Sequence, residues 1–154
     1  MNAYRTGEGW LLLTLGLSEL FTKCGDDPAV SGWGFELTMR VMENSQSDVP
    51  PQWALNLVVK LSVYVYQRSK SFAPGHRMDP GGPIAGNSDT HLTALAFTAD
   101  PQLPSISAPN GSVDFLTIVG ITAHELAAMQ ATSTDAVLSA LRARYPTLVT
   151  DISR

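Results

Sequence analysis

From Trp33 onward every second residue is large and apolar: Trp33, Phe35, Leu37, Met39 and Val41, separated by Gly34, Glu36, Thr38 and Arg40. A helix would scatter these side chains around its axis, whereas a strand sends successive residues to opposite faces. The stretch predicts a strand with one buried apolar face. A chain built around it needs a sheet and a layer to cover that sheet. Glu36 and Arg40 fall on the opposite face, about 13 Å apart at roughly 3.3 Å per residue, too far to bridge each other. Each is expected to form an ion pair with a neighbouring strand or helix, or, as the second option, to contact a bound protein.

The rest of the chain supplies the other strands and the covering helices. Trp10-Leu11-Leu12-Leu13-Thr14-Leu15 is too apolar to meet water on both sides and reads as a buried strand. Cys24 to Ser31, with Gly25, two aspartates and Pro28, reads as a loop. Val113 to Ile121 is apolar on both alternating sets after Asp114, the pattern of a central strand covered on both faces. Just before it, Asn110-Gly111 suits a tight hairpin reversal. His91 to Thr98 can form a further strand, and Leu148 to Ile152 a short closing one.

Thr122 and Glu125 have capping-box spacing, so a helix should start there. Ser133 or Thr134 can cap another, whose Val137, Leu138, Leu141 and Tyr145 keep helical spacing until Pro146 stops it. Met42 to Pro51 turns polar and reads as a linker into the next segment. Gln52 to about Lys70 supports two readings. Trp53, Leu57, Leu61 and Val65 recur at four-residue steps, with Val58 and Tyr64 widening the stripe, yet Val59, Leu61, Val63 and Val65 also alternate. Pro74 to Ser88 holds four glycines and three prolines in fifteen residues, sustains neither period, and is expected to be the longest loop. Loops of that length often carry function. Strands mixed with helices around one core give an α+β or mixed α/β fold, with residues 1–154 forming a single domain.

Composition narrows the function classes. Of 154 residues, 44% are hydrophobic and 16% charged, a globular balance, and the formal net charge is −4. No basic run offers a track for phosphates, so nucleic acid and anionic membrane are poor partners. No apolar run approaches the roughly 20 residues that span a bilayer. The only cysteine, Cys24, has no partner for a disulfide within the chain, and no basic-apolar-small targeting pattern occurs, so the expected compartment is the cytoplasm.

Catalytic patterns are incomplete. His124-Glu125 would need a second histidine one turn on for a metalloprotease, and position 128 is Ala. No Gly-x-Ser-x-Gly elbow occurs, and Asp26 and Asp27 beside Cys24 disfavour a thiolate. Gly32-x-Gly34 lacks the third glycine of a dinucleotide fingerprint, and no Walker lysine follows a glycine loop. No catalytic residue, cofactor or resident metal is therefore assigned. One enzymatic alternative remains: His76 and His91, with Asp79 or Asp89, could hold a zinc ion in the Pro74 to His91 loop as the site of a metal-dependent enzyme.

Seven stretches carry a resemblance. Gly16-Leu17-Ser18-Glu19-Leu20, Ser31 to Arg40, Pro50-Pro51-Gln52-Trp53, Asp100-Pro101-Gln102, Phe115 to Gly120, Glu125-Leu126 and Thr150-Asp151-Ile152 occur in an order and spacing that resemble the Suppressor of fused domain family. The resemblance runs from about Trp10 to Arg154. It implies an α/β sandwich-like domain with a central mixed sheet flanked by helices, and it settles Gln52 to Lys70 as helix. It also implies a non-enzymatic, protein-binding role. Animal members grip a short peptide of a transcription factor as an added strand between this domain and a second, C-terminal one.

Bacterial members stand alone, and many resemble immunity proteins that neutralise partner toxins. The expectation for this chain is a bacterial immunity-type protein that binds and blocks another protein, such as a toxin encoded by a neighbouring gene, with a structural homo-oligomer as a further option. The family usually carries another few dozen residues before the position of Tyr4, so the chain is expected to lack the family's N-terminal segment. Because the chain ends where the first domain of the animal proteins ends, a two-domain clamp is not expected. Tyr64 and Phe72 match aromatic residues near the peptide groove, and His76 stands where those members carry a ligand-engaging acid, a change that removes the charge at neutral pH. These three are the candidate partner-binding residues. The competing reading makes Tyr64 part of the helix's buried edge and Phe72 an anchor for the loop.

Overall fold

A computed structural model describes residues 1–19, 22–43, 47–86 and 88–154. Leu20 of the first family-like stretch, residues 44–46 of the linker and Asn87 of the long loop lie outside the described residues. The strands are β1 (Asn2–Arg5), β2 (Gly9–Leu13), β3 (Val30–Met42), β4 (Arg77–Met78), β5 (Leu92–Ala99), β6 (Ile106–Ala108) and β7 (Gly111–Thr122). The helices are α1 (Gln52–Arg68), α2 (Ala123–Ala131) and α3 (Thr134–Arg144). One mixed sheet runs β1-β2-β3-β7-β5-β4, with β6 paired to β7. Among the pairs of named strands only β3–β7 is parallel, with Leu37 opposite Leu116 and Met39 opposite Ile118. The expected architecture of a mixed sheet flanked by helices is the one found.

Alternation on the long strands builds two cores. Phe35, Leu37 and Met39 of β3, Leu116 and Ile118 of β7, and Leu95 and Phe97 of β5 pack under α1. The intervening Ala94, Ala96, Val119 and Ile121 meet Met129 of α2 and Leu138 of α3 on the other face. Small alanines on β5 let those two helices approach closely. β7 lies between β3 and β5, the central position its apolar sequence implies.

The helix in 52–70 is decided by burial. Ala54, Leu57, Val58, Leu61 and Val65 are buried, whereas Val59 and Val63 of the competing strand pattern are 48% and 43% exposed. Left-handed Ser69 (φ 48) ends α1 and turns the chain back toward the sheet. The capping box forms at α2: the Glu125 amide donates to the Thr122 hydroxyl at 3.1 Å, and the Thr122 amide to the Glu125 carboxylate at 2.7 Å. At α3 the cap is Ser133, whose hydroxyl accepts from the Ala136 amide. Thr134 is the first helical residue.

Several expectations are corrected. β3 is buried on both faces, because Glu36, Thr38 and Arg40 are only 1%, 0% and 4% exposed. Arg40 has the expected ion partner, Asp100, but Glu36 has none among the described residues; its carboxylate accepts the Gly16, Leu17 and Ser18 amides and the Thr14 and Ser18 hydroxyls. β2 ends at Leu13, and Leu15 is exposed. The long loop contains β4, and the N-terminal residues form β1. The β6–β7 hairpin turns at Pro109-Asn110 rather than Asn110-Gly111, since Ala108 pairs with Gly111. Gly111 has φ +119, and a Cβ there would lie 2.6 Å from the Val30 carbonyl carbon. Leu148 to Ile152 makes a single bridge, Thr150 to Val41, because left-handed Leu148 (φ 56) and the turn at Asp151 bend the chain on either side.

Candidate functional site

β4 is the last strand of the sheet, so one of its edges has no strand beside it among the described residues. What fixes it comes from the other side. Arg77 pairs with Ala96 and Met78 with Leu95, antiparallel. The Gly75 amide donates to the Phe97 carbonyl at 2.8 Å, and the Phe97 amide to the His76 carbonyl at 2.9 Å. From the start of α3, the Thr134 hydroxyl donates to the Gly75 carbonyl at 2.8 Å and accepts from Arg77 at 3.2 Å. The strand is short, and the bonds that anchor it beyond its pairing with β5 gather at its N-terminal side.

An aromatic column leads from the core to this edge. Phe97 is fully buried; Phe72 stacks on it with centroids 4.1 Å apart, and Tyr64 of α1 stacks on Phe72 at 5.8 Å. Phe72 is 9% exposed and therefore anchors the segment that leaves α1, while Tyr64 is half-buried. His76 is exposed, and its Nδ1 accepts from the Ala73 amide at 3.2 Å, which assigns the ring proton of the neutral form to Nε2. Tyr64, Phe72 and His76 thus line one groove of about 510 Å3, together with Lys70, Arg77 and Met78. An exposed strand edge beside such a groove can accept an extended chain by adding a strand, with side-chain pockets giving selectivity.

A second cavity, of about 520 Å3, lies on the far side of Phe72 and is walled by Trp33, Phe35, Phe115 and Leu103. Asp100 forms part of its wall. Its carboxylate holds Arg40 through two contacts, 2.6 and 2.9 Å, and accepts from the Thr38 hydroxyl and the Gln102 and Leu103 amides. Burial alone pushes that carboxyl up, but the Arg40 guanidinium, the Thr38 hydroxyl and the Gln102 amide outweigh it and hold it below the usual carboxylate range.

The zinc alternative does not assemble. His76 lies opposite Phe97 on β5 whereas His91 precedes Leu92, so six residues of strand separate them, roughly 20 Å at 3.3 Å per residue. The two histidines belong to opposite ends of one strand rather than to one loop. Among the described residues no group of three or more His, Cys, Asp or Glu is placed to hold a metal ion, and no helix is long and apolar enough to cross a membrane.

The family model for Suppressor of fused protein matches residues 2–154. The chain belongs to the Suppressor of fused family. It is 33% identical over 159 residues to the Suppressor of fused homologs of Homo sapiens and Mus musculus, covering 96% of this chain and 32% of each relative. It therefore spans about a third of the length of those relatives. Among solved structures, the Sufu-Fu complex crystal structure matches at TM-score 0.85 and 28% identity, over 94% of this chain and 68% of that one. The crystal structure of Drosophila Suppressor of Fused matches at TM-score 0.83 and 29% identity, over 94% and 38%. Suppressor of fused is a regulatory, protein-binding family, and this chain has its domain.

Lys70 and Arg77, which line the same groove, escape sequence reading. Lys70 stands at the polar end of the segment read as helix and Arg77 among glycines and prolines, and only the two-residue strand β4 brings Arg77 beside Tyr64 and Phe72. Two residues are too few to show a period.

Proposed function

We propose that this domain is a binding module that holds an extended segment of a partner protein along the open edge of β4, with Tyr64, Phe72 and His76 lining the seat. The observation that carries this reading is the coincidence of an unpaired strand edge with a groove of aromatic and polar side chains. Tyr64 supplies the contact surface, buried Phe72 positions it, and the Nε2–H of His76 donates where the seat is open. The binding of Fu by a structurally similar Suppressor of fused supports the class of activity.

The role we assign is immunity-type, in the cytoplasm of a bacterium: the domain binds and blocks a toxin encoded by a neighbouring gene. A net charge of −4 favours fast association with a basic target such as a nuclease. The test is co-expression with the adjacent gene product, followed by light scattering. A heteromeric complex that Tyr64→Ala weakens, in a variant that is still fully folded at the assay temperature, is expected. A stable homo-oligomer that ignores the neighbour's product, or a complex indifferent to Tyr64→Ala, would sink the reading.

A further inference from the structure

Phe72 separates two grooves of nearly equal size and opposite charge. On the β4 side, the ionisable side chains besides Tyr64 are Lys70, His76 and Arg77, with no carboxylate in the lining. On the other side the charged side chains are Asp100 and Asp114, with no cation in the lining. Asp100 is neutralised by Arg40. Asp114 is exposed, accepts from the Ser105 hydroxyl, and forms no ion pair among the described residues. Lys70 and Arg77 form none either; Arg77 bonds the Thr134 hydroxyl instead. Each groove therefore presents an uncompensated charge of one sign, and the grooves share Ser71 and Phe72.

We infer that the paired grooves read the charge pattern of one extended segment of a partner protein: an acidic side chain over Lys70, His76 and Arg77, and a basic side chain in the cavity beside Asp114. This rests on the partner-binding reading above and adds to it the chemistry of the segment and its direction across Phe72. The walls of the second cavity suit a basic side chain specifically. Trp33, Phe35 and Phe115 give the lining an aromatic, apolar surface against which its methylene stem can lie, and exposed Asp114 is the anion in the same lining. The opposite orientation would set like charges against each other in both grooves, which is how charged rims exclude wrong partners.

The probe is a displayed library of random short peptides, selected on the whole chain, with the enriched peptides then synthesised and titrated calorimetrically. Enriched peptides should carry one acidic and one basic residue flanking an apolar or small stretch. The double variant K70E/R77E should weaken them about tenfold and be rescued when the peptide's acid becomes lysine. D114K should weaken them similarly and be rescued when the peptide's base becomes glutamate. All three substitutions are at exposed positions, so an unchanged melting temperature confirms that folding is intact. Peptides that need Tyr64, as judged by Tyr64→Ala, but show no charge pattern or ignore the reversals would overturn the charge assignment and leave the groove as the binding seat. Peptides indifferent to Tyr64→Ala, or no enrichment at all, would remove both readings.

Discussion

Arg40 and Asp100 meet at 2.6 Å with side chains 5% and 0% exposed, so removing either leaves a buried charge without its partner. Arg40→Ala should cost about 3–5 kcal/mol, read as a lower urea midpoint at unchanged slope; a loss below about 1 kcal/mol would contradict the pairing. The pH dependence has a definite sign. Because the Asp100 carboxyl is held lower in the folded than in the unfolded chain, its contribution is complete above the unfolded value. It fades as pH falls from there through the folded one. Asp100→Asn should therefore destabilise the protein at neutral pH and flatten its acid limb, and parallel acid limbs for the two proteins would refute this. Hydropathy could not show these residues as buried. Charged side chains at alternating positions look solvated, and the partner of Arg40 lies 60 residues further on. Glu36 is hidden in the same way, because its donors, the amides of 16–18 and two hydroxyls, carry no charge for a pattern to detect.

At the scale of elements, long periods were legible and short ones were not. β3, β7 and the capping box of α2 were readable because each spans enough residues, or uses a specific enough chemistry, to exclude its rivals. The segment 52–70 satisfied two periods at once, and what separates them is a fold-level fact, that α1 has only one sheet face to cover. Its register makes a sharp contrast. Leu61→Ala should cost about 2–5 kcal/mol, while Val63→Ala, two residues away on the exposed side, should change stability by no more than about 0.5 kcal/mol. Equal losses in chemical denaturation would mean that the helix faces the sheet differently. β4 lies among glycines and prolines, where two residues show no period, so the sequence marks Tyr64, Phe72 and His76 without the strand edge that stands beside them.

Across the whole molecule, the sheet is capped by α1 on one face and by α2 and α3 on the other, which leaves the outer edges of β1, β4 and β6, none with a further strand beside it among the described residues, as the places where another chain could add. The aromatic column and the two oppositely charged grooves single out β4. The central claim, that a partner seats on this edge, is tested most directly by amide hydrogen exchange in the complex with the adjacent gene product. The account predicts that binding slows exchange at residues 75–79 and around Tyr64 and Phe72, with β1 and the outer faces of α2 and α3 unchanged. Protection confined to β1 or to the α2–α3 face, with 75–79 exchanging as in the free domain, would contradict it.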